Sequence, residues 1–201
     1  MPTTRSRKSA SDRKAEIVET AIRLSADVGP NRVTTQHLAD AVGVTQPAIF
    51  RHFATKTDIW MTVGDRIIAE MAALVQPFSE LHPSELHDHL HALVGRHFAH
   101  ISTHPAIPAI LFSRELLTEI EPLRGKVNAL LDERCKIIAD ILHRGQQAGL
   151  HKPELNATDC ALLIMSSIQG LSMRWLVHDQ SFDLPSEGQR VLGGLIDSFR
   201  A

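Results

Sequence analysis

A short segment between residues 34 and 56 constrains the fold of this chain more than any other feature. Apolar residues at helical spacing predict two helices, at about 35–42 and 46–52, joined by only three residues. Gly43 can supply the positive φ that ends the first helix and turns the chain. Pro47 falls in the first turn of the second helix, where its missing N–H does no harm. Because so short a connection packs the two helices together, the segment predicts a helix-turn-helix.

The small and apolar residues of this segment have the sizes that such a unit needs. Ala39 is small where the two helices must cross closely, and Thr45 can cap the second helix. The joint spacing of Ala39, Gly43 and Ile49 is that of a helix-turn-helix. We expect a small core between the two helices, formed by Leu38, Val42, Val44 and Ile49.

The polar residues of the second helix indicate a nucleic-acid partner. The second helix of a helix-turn-helix lies in the major groove, with its N-terminal residues toward the base edges. Gln46 can pair bidentately with adenine, and Ala48 can contact a thymine methyl group. The alternative is a helical hairpin in a protein–protein adaptor, which would not need Gln46, His52 and Lys56 on one edge.

The rest of the chain also predicts helices. Apolar residues make up 43% of the sequence and aromatic residues 4%, a balance that favours helices over sheets. No segment alternates for long enough to predict a strand. We therefore predict an all-α fold of about nine helices, in which the first helix begins at Ser11 as its cap. The other helices are expected at about 56–77, 83–103, 106–120, 122–148, 156–178 and 186–200.

Charge is distributed unevenly along the chain. Residues 1–60 hold nine Lys or Arg against six Asp or Glu, whereas residues 61–201 hold twelve against seventeen. The basic end can meet a polyanion, and the acidic remainder would be repelled by one. Arg5, Arg7 and Lys8 can add phosphate or minor-groove contacts, or they can form a tail that only solubilises the protein.

The chain resembles the DNA-binding domain of the tetracycline-repressor (TetR) family over about residues 11–60. The resemblance rests on Thr34 or Thr35, Leu38-Ala39, Val42-Gly43-Val44, Phe50-Arg51-His52-Phe53 and Lys56. It implies a domain organisation in three parts. These are a flexible basic arm at 1–10, a helix-turn-helix DNA-binding domain at 11–56, and a helical effector-binding and dimerisation domain at 57–201.

The resemblance also implies a role for each matching residue at the DNA. Thr35 and Gln36 begin the first short helix and touch phosphate and base edge, while Lys56 meets a phosphate. The family usually has Tyr where this chain has Phe50, which has no hydroxyl for a phosphate and is expected to pack or to contact a sugar. The full set of expected DNA contacts is Thr35, Gln36, Gln46, Pro47, Ala48, Phe50, Arg51, His52 and Lys56.

The resemblance further implies a homodimeric transcription regulator whose last two long helices pair across a four-helix interface. We expect a repressor that a small, apolar or amphipathic effector releases from a palindromic operator. No Gly-rich phosphate loop or nucleophile elbow occurs, so we predict neither enzyme activity nor a cofactor. Without a signal peptide or a membrane-length apolar run, we expect a cytoplasmic protein with no membrane partner. Candidates to line the effector pocket are Phe98, Ile101, Phe112, Leu116, Leu131, Cys135, Met165 and Ile168.

Histidine is frequent, with twelve in the chain and seven of them between residues 82 and 104. His87 and His91 lie one helical turn apart, a spacing at which two imidazoles can chelate a metal such as zinc. His97, His100 and His104 share a helical face. A metal-responsive regulator that uses this segment is therefore an alternative function. Because no nearby Cys completes a site, we interpret the pattern as a solvated histidine-rich face and predict no metal site.

Overall fold

The computed structural model describes residues 9–75 and 80–201, and over these residues it contains ten α-helices and no strand. The all-α prediction is confirmed, with one helix more than expected. The helices are α1 (Ala10–Val28), α2 (Thr35–Val42), α3 (Gln46–Phe50), α4 (Lys56–Ala73), α5 (Leu86–Thr103), α6 (Ala106–Leu111), α7 (Arg114–Glu119), α8 (Glu121–Gln147), α9 (Ala157–Val177) and α10 (Leu184–Asp197).

Helix α1 begins at Ala10, and its cap is Ser9, two residues before the predicted cap Ser11. The Ser9 hydroxyl accepts a hydrogen bond from the Asp12 N–H, and the Asp12 carboxylate accepts one from the Ser9 N–H. This reciprocal capping box satisfies two N–H groups at the helix terminus, which a Ser11 cap would leave without partners. Of the predicted basic arm, residues 1–8 lie outside the described residues.

The helix-turn-helix forms as the sequence predicted. Gly43 adopts a left-handed conformation with φ of 74°, and its N–H donates to the Ala39 carbonyl at 2.9 Å. Ala39 and Ile49 are fully buried at the crossing of α2 and α3. Thr45 occupies the N-cap position of α3, but its side chain makes no capping hydrogen bond. These contacts fix the orientation of α3 relative to α2.

The segment 106–120, predicted as a single unit, consists of two helices. Helix α6 ends at Leu111, and Ser113 caps α7 by accepting a hydrogen bond from the Leu116 N–H. The same Ser113 hydroxyl donates to Asn31, in the connection after α1. Ser113 therefore caps α7 and also ties it to the connection after α1.

Helix α9 packs between α8 and α10, and its length and composition would also suit a membrane-spanning helix. One helix of this kind is weak evidence for a membrane span, because core helices of soluble proteins pass the same test. Asn156 caps α9 by accepting hydrogen bonds from the N–H groups of Thr158 and Asp159. Ile164 and Ile168 are buried on its inner side, while other apolar residues of α9 face outward.

The core of the larger part of the molecule lies between α5, α8, α9 and α10. Helix α5 runs along α10, and Phe98 is completely buried between them. The absence of a side chain at Gly188 is what makes room for the Phe98 ring, because a Cβ at that position would overlap it. This close contact holds α10, the last helix, against the body of the protein.

Candidate DNA-binding surface and effector cavity

Helix α3 presents a mixed polar and aromatic surface to solvent. Gln46 is half-buried, Pro47 is exposed, and Phe50 leaves 42% of its surface accessible. Ala48, which was predicted to contact a thymine methyl, is buried at 9% exposure. Ala48 precedes the fully buried Ile49 and lies near Ile17 of α1. The outward aromatic at this surface is therefore Phe50, and Ala48 is a poor candidate for a base contact.

The polar residues at the start of α2 and α3 are held by hydrogen bonds within the protein. Gln46 Nε2 donates to Thr35 Oγ1 at 2.6 Å, and Gln36 Nε2 donates to Asp40 Oδ1 at 2.7 Å. A second N–H and the carbonyl oxygen of the Gln46 amide can still face a base. The structure thus brings Gln46 and Thr35 together, as predicted for residues on one DNA-facing edge, and fixes the Gln46 amide in place.

A basic cleft lies beside this edge, between α1 and α3. Its walls carry Arg13, Arg51 and His52, and its floor is formed by small and apolar residues that include Ala48. Lys56, the first residue of α4, is exposed next to a helix N-terminus. Backbone N–H groups at a helix N-terminus attract anions, so these cations and the α4 terminus together suit contact with phosphate groups.

A largely apolar cavity that is partly open to solvent lies inside the C-terminal helices. It is lined by residues of α4, α5, α6, α8 and α9. Five predicted pocket residues line it, namely Ile101, Phe112, Leu131, Met165 and Ile168. The structure brings these five together from four separate stretches of sequence.

Three other predicted pocket residues do not line this cavity. Phe98 is directed toward Gly188 of α10 instead, and Leu116 is the buried residue of α7. Cys135 is half-buried and packs against the core. Its neighbour in sequence, Arg134, lines the cavity instead. Helical spacing alone could not separate these positions from the lining, because each is apolar and lies on a core-facing side.

The cavity contains one buried cation that sequence analysis missed. Arg134 lines it at 5% exposure, and its Nη2 has no hydrogen-bond partner in the described part of the chain. Burial lowers the pKa of Arg134, although a guanidinium remains charged in proteins. Burial, the Arg134 charge and His100 lower the pKa of His97, another lining residue, to about 3. His97 is therefore neutral near pH 7, and the positive charge in the cavity belongs to Arg134.

Two structural connections join the cavity to the DNA-facing edge. Helix α4 starts at Lys56 and carries Met71, a lining residue, in its last turn. Helix α6, which lines the cavity through Ile107 and Pro108, packs against α1. Beside it, Asn31 donates to Glu115 at 2.9 Å. The cavity and the edge formed by α2 and α3 are thus connected by helices that contact both parts.

Two family profiles match consecutive parts of the chain, which together span residues 17–198. The profile described as "Bacterial regulatory proteins, tetR family" matches residues 17–60, and "YsiA-like protein, C-terminal region" matches residues 60–198. The second match alone covers more than half of the chain. The chain belongs to the TetR family.

Individual relatives support the same assignment. The HTH-type transcriptional repressor BepR of Brucella suis is 28% identical over 199 residues, which cover 94% of this chain and 95% of that protein. A putative regulator from Saccharomonospora viridis in complex with choline has a TM-score of 0.79 at 20% identity, covering 95% of this chain and 99% of that one. FadR from Bacillus subtilis in complex with stearoyl-CoA has a TM-score of 0.70 at 22% identity, covering 90% and 97%. The likeness to these two structures establishes a shared fold.

Membership of the TetR family confirms the prediction of a DNA-binding transcriptional regulator. Regulators of this family bind operator DNA and small-molecule effectors, and the family is a class of regulators rather than of enzymes. The two alternative functions, a helical adaptor and a metal-responsive regulator, are not favoured by these findings.

In this TetR-family member, the three histidines suggested as metal ligands do not converge. His97 lines the cavity, whereas the rings of His100 and His104 stack with their centroids 4.4 Å apart. His104 lies just beyond the end of α5, so the helical register that placed the three on one face does not reach it.

Apolar side chains form an exposed stripe on the outer side of α9. The exposed fractions are 57% for Leu162, 54% for Leu163, 37% for Met173 and 76% for Val177. Val191 of α10 is also 38% exposed. This outward stripe was not predicted, although the apolar character of both sides of the helix could have signalled it.

Proposed function

We propose that this TetR-family regulator is a repressor that binds a palindromic operator as a homodimer and is released by an anionic, amphipathic effector. The observation that carries the effector class is the buried Arg134, whose Nη2 has no hydrogen-bond partner among the described residues, in a largely apolar cavity. We place the DNA-binding function in residues 11–56, the effector and dimerisation functions in residues 57–201, and the protein in the cytoplasm.

The DNA contact is proposed from the exposed edge that α2, α3 and the start of α4 share. Gln46 is positioned by Thr35 to face a base, and Pro47 and Phe50 present an apolar surface to sugars or thymine methyls. Phosphate contacts are assigned to Arg51, His52 and Lys56, together with Thr35 and Gln36 as the resemblance implies. Ala48 is left out of the proposed contacts because it is buried.

The homodimer is proposed from the apolar stripe of α9 and from the length of DNA that one α3 can reach. One recognition helix contacts too few bases for strong specificity, so a second copy is needed. Exposed Leu162, Leu163, Met173 and Val177 would lose contact with water if α9 and α10 packed against their copies. Gly170 and Gly194 have open space above them, which permits close approach of a partner helix.

The effector class is proposed from the chemistry of the cavity. A buried cation without a partner favours a ligand with a negative group, since charge-assisted hydrogen bonds to a guanidinium are strong. The apolar lining favours a hydrocarbon portion. Stearoyl-CoA, the ligand of the similar B. subtilis structure, combines both properties. A cation such as choline, the ligand of the S. viridis structure, would be repelled by Arg134.

Release is proposed to pass through α4. An effector in the cavity contacts Met71, and a shift of α4 would displace Lys56 at the opposite end and change the spacing of the two recognition helices. If effector binding disfavours the operator-bound spacing, operator binding must weaken effector binding by the same factor. A coupling of about 1–3 kcal/mol corresponds to a roughly 5- to 150-fold change in affinity.

DNA binding is tested by selecting duplexes from a random pool near physiological salt, which should enrich an inverted repeat. Gln46→Ala should relax preference at one base and cost about 1–3 kcal/mol, while Lys56→Ala should weaken all sequences and reduce the salt slope by about 1. Lys136→Ala removes the same charge from an exposed position of α8 and serves as the control. If the protein, freed of any bound effector, enriches no duplex from the pool, the proposed DNA contact is wrong.

The effector class is tested by titrating dodecanoate and dodecanol into the operator complex. Dodecanoate should release DNA at lower concentration than dodecanol, because only the carboxylate can bond Arg134. Equal potency of the two would refute the anionic class. Equal dodecanoate affinity with and without operator would refute the coupling.

A further inference from the structure

Outside the cavity, three potential metal ligands converge between α5 and α10. The distances are 3.3 Å from His87 Nε2 to His91 Nε2, 3.0 Å from His87 Nε2 to Asp197 Oδ1, and 3.2 Å from His91 Nε2 to Asp197 Oδ1. We propose that these three groups bind a divalent first-row transition metal, such as zinc, which clamps the last turn of α10 to α5.

The size of this triangle suits a metal of that class. Ligands bound at about 2.0–2.1 Å lie roughly 3.3–3.4 Å apart in tetrahedral geometry and roughly 2.9 Å apart at right angles in octahedral geometry. The three observed separations fall within or next to this range. Two imidazoles with one carboxylate select such metals over calcium or magnesium, which prefer all-oxygen sites.

A second, independent observation is the hydrogen-bond chain behind His87. His151 Nδ1 lies 3.3 Å from the Leu142 carbonyl, which can only accept, so this nitrogen carries the proton. In a neutral His151 ring, Nε2 is then an acceptor, and it lies 3.3 Å from His87 Nδ1. His87 Nδ1 is therefore the donor, and a neutral His87 ring presents a lone pair at Nε2.

That lone pair faces the Asp197 carboxylate oxygen, another acceptor. Two acceptors 3.0 Å apart repel each other unless a cation lies between them, which is either a proton on the ring or a metal ion that takes the place of that proton. A buried histidine whose outer nitrogen is fixed as an acceptor by a second partner is the arrangement found behind metal ligands, where it orients the ring and raises its basicity. His151 is 1% exposed, and the absence of a side chain at Gly145 leaves room for its ring.

The site is open on one side and closed on the other. The exposed fractions of the side chains are 6% for His87, 33% for His91 and 57% for Asp197. A metal ion can thus enter from solvent past Asp197 and His91, and water can complete its coordination. The site is separate from the effector cavity, so its proposed role is to tie the helices rather than to sense the effector.

The experiment uses full-length protein without a histidine tag, stripped of metal by a chelator and titrated with zinc chloride by calorimetry. We expect one zinc ion per chain and, at zinc 100-fold above its Kd, a melting temperature raised by about 5–10 °C. Cobalt(II) in place of zinc should give visible absorption bands that report imidazole and carboxylate coordination.

His91→Gln and Asp197→Asn each remove one ligand from an accessible position and should weaken zinc binding at least tenfold while the circular dichroism spectrum stays that of the wild type. His104→Gln is the matched control, because it removes a histidine that stacks on His100 away from the site, and it should bind zinc as the wild type does. Absence of one-to-one binding, or equal loss in the control and the ligand variants, would overturn the proposal.

Discussion

Replacing Arg134 by Met separates the role of this residue in folding from its role in binding. Met is of similar length but carries no charge. In the free protein the guanidinium is 5% exposed, and its Nη2 has no partner within the described residues. A buried donor without a partner costs about 1–3 kcal/mol, and a buried ion costs more. Arg134→Met should therefore raise the free energy of unfolding by about 1–3 kcal/mol, or the melting temperature by about 2–12 °C.

Binding of an anionic effector should change in the opposite direction. A hydrogen bond to a charged group contributes about 1.5–3 kcal/mol, so its loss corresponds to a roughly 10- to 150-fold weaker affinity. A neutral ligand of the same chain length makes no such bond and should bind the variant as well as, or better than, the wild type. The variant is thus expected to be more stable and yet worse at binding dodecanoate.

Both quantities can be measured on the same samples, by thermal unfolding and by calorimetric titration with dodecanoate and dodecanol. The matched control is Arg124→Met, on the same helix α8, where the guanidinium is 48% exposed and pairs with Glu121 at the surface. This control should change stability and binding little. The reasoning is refuted if Arg134→Met is less stable than the wild type and its affinity for dodecanol falls as much as its affinity for dodecanoate. Arg134 would then act by packing alone.

Two further predictions concern stability. Gly188→Ala should lower the free energy of unfolding by about 1–3 kcal/mol, because the new Cβ overlaps the buried Phe98 ring. The control is Gly125→Ala, which has open space at a helical position and should not destabilise the protein. His97→Gln should reduce the loss of unfolding free energy that the protein undergoes as the pH falls. The pKa of His97 is lowered to about 3, so its stabilising contribution is complete above the unfolded pKa of about 6.5 and is lost as the pH falls toward 3. Between about pH 7.5 and pH 5 the wild type should lose about 2 kcal/mol more than the variant in urea unfolding, and parallel pH profiles of the two would contradict the assignment.

The helix-turn-helix was predictable because its determinants are local. Gly43 sets the turn, and Leu38, Ala39 and Ile49 form the core, all within about a dozen residues. The burial of Ala48 was not predictable, because it depends on how α3 packs against the neighbouring helices. Arg134 was missed for a related reason, since a charged residue in a long helix is usually on its solvated side.

The proposed metal ligands show the same limit of sequence reasoning more sharply. The spacing of His87 and His91 on α5 indicated a chelating pair, but the third ligand is more than a hundred residues away on α10. Only the packing of α5 along α10 brings Asp197 to the pair. His97, by contrast, lines the cavity, whereas His100 and His104 stack on each other, so the three histidines of the other local pattern do not form one site.

The contact between α4 and α8 gives the proposed coupling a physical route. Helix α8 carries Arg134, and a side chain at Gly64 in the middle of α4 would overlap Leu123 of α8. The two helices therefore touch where α4 has almost no side chain to absorb a shift. At about 1.5 Å per residue, the 18 residues of α4 extend about 27 Å, from the cavity to Lys56 at the DNA-facing edge. An anion that draws Arg134 inward would thus displace α8 against the backbone of α4, and a rigid helix transmits that displacement to its far end.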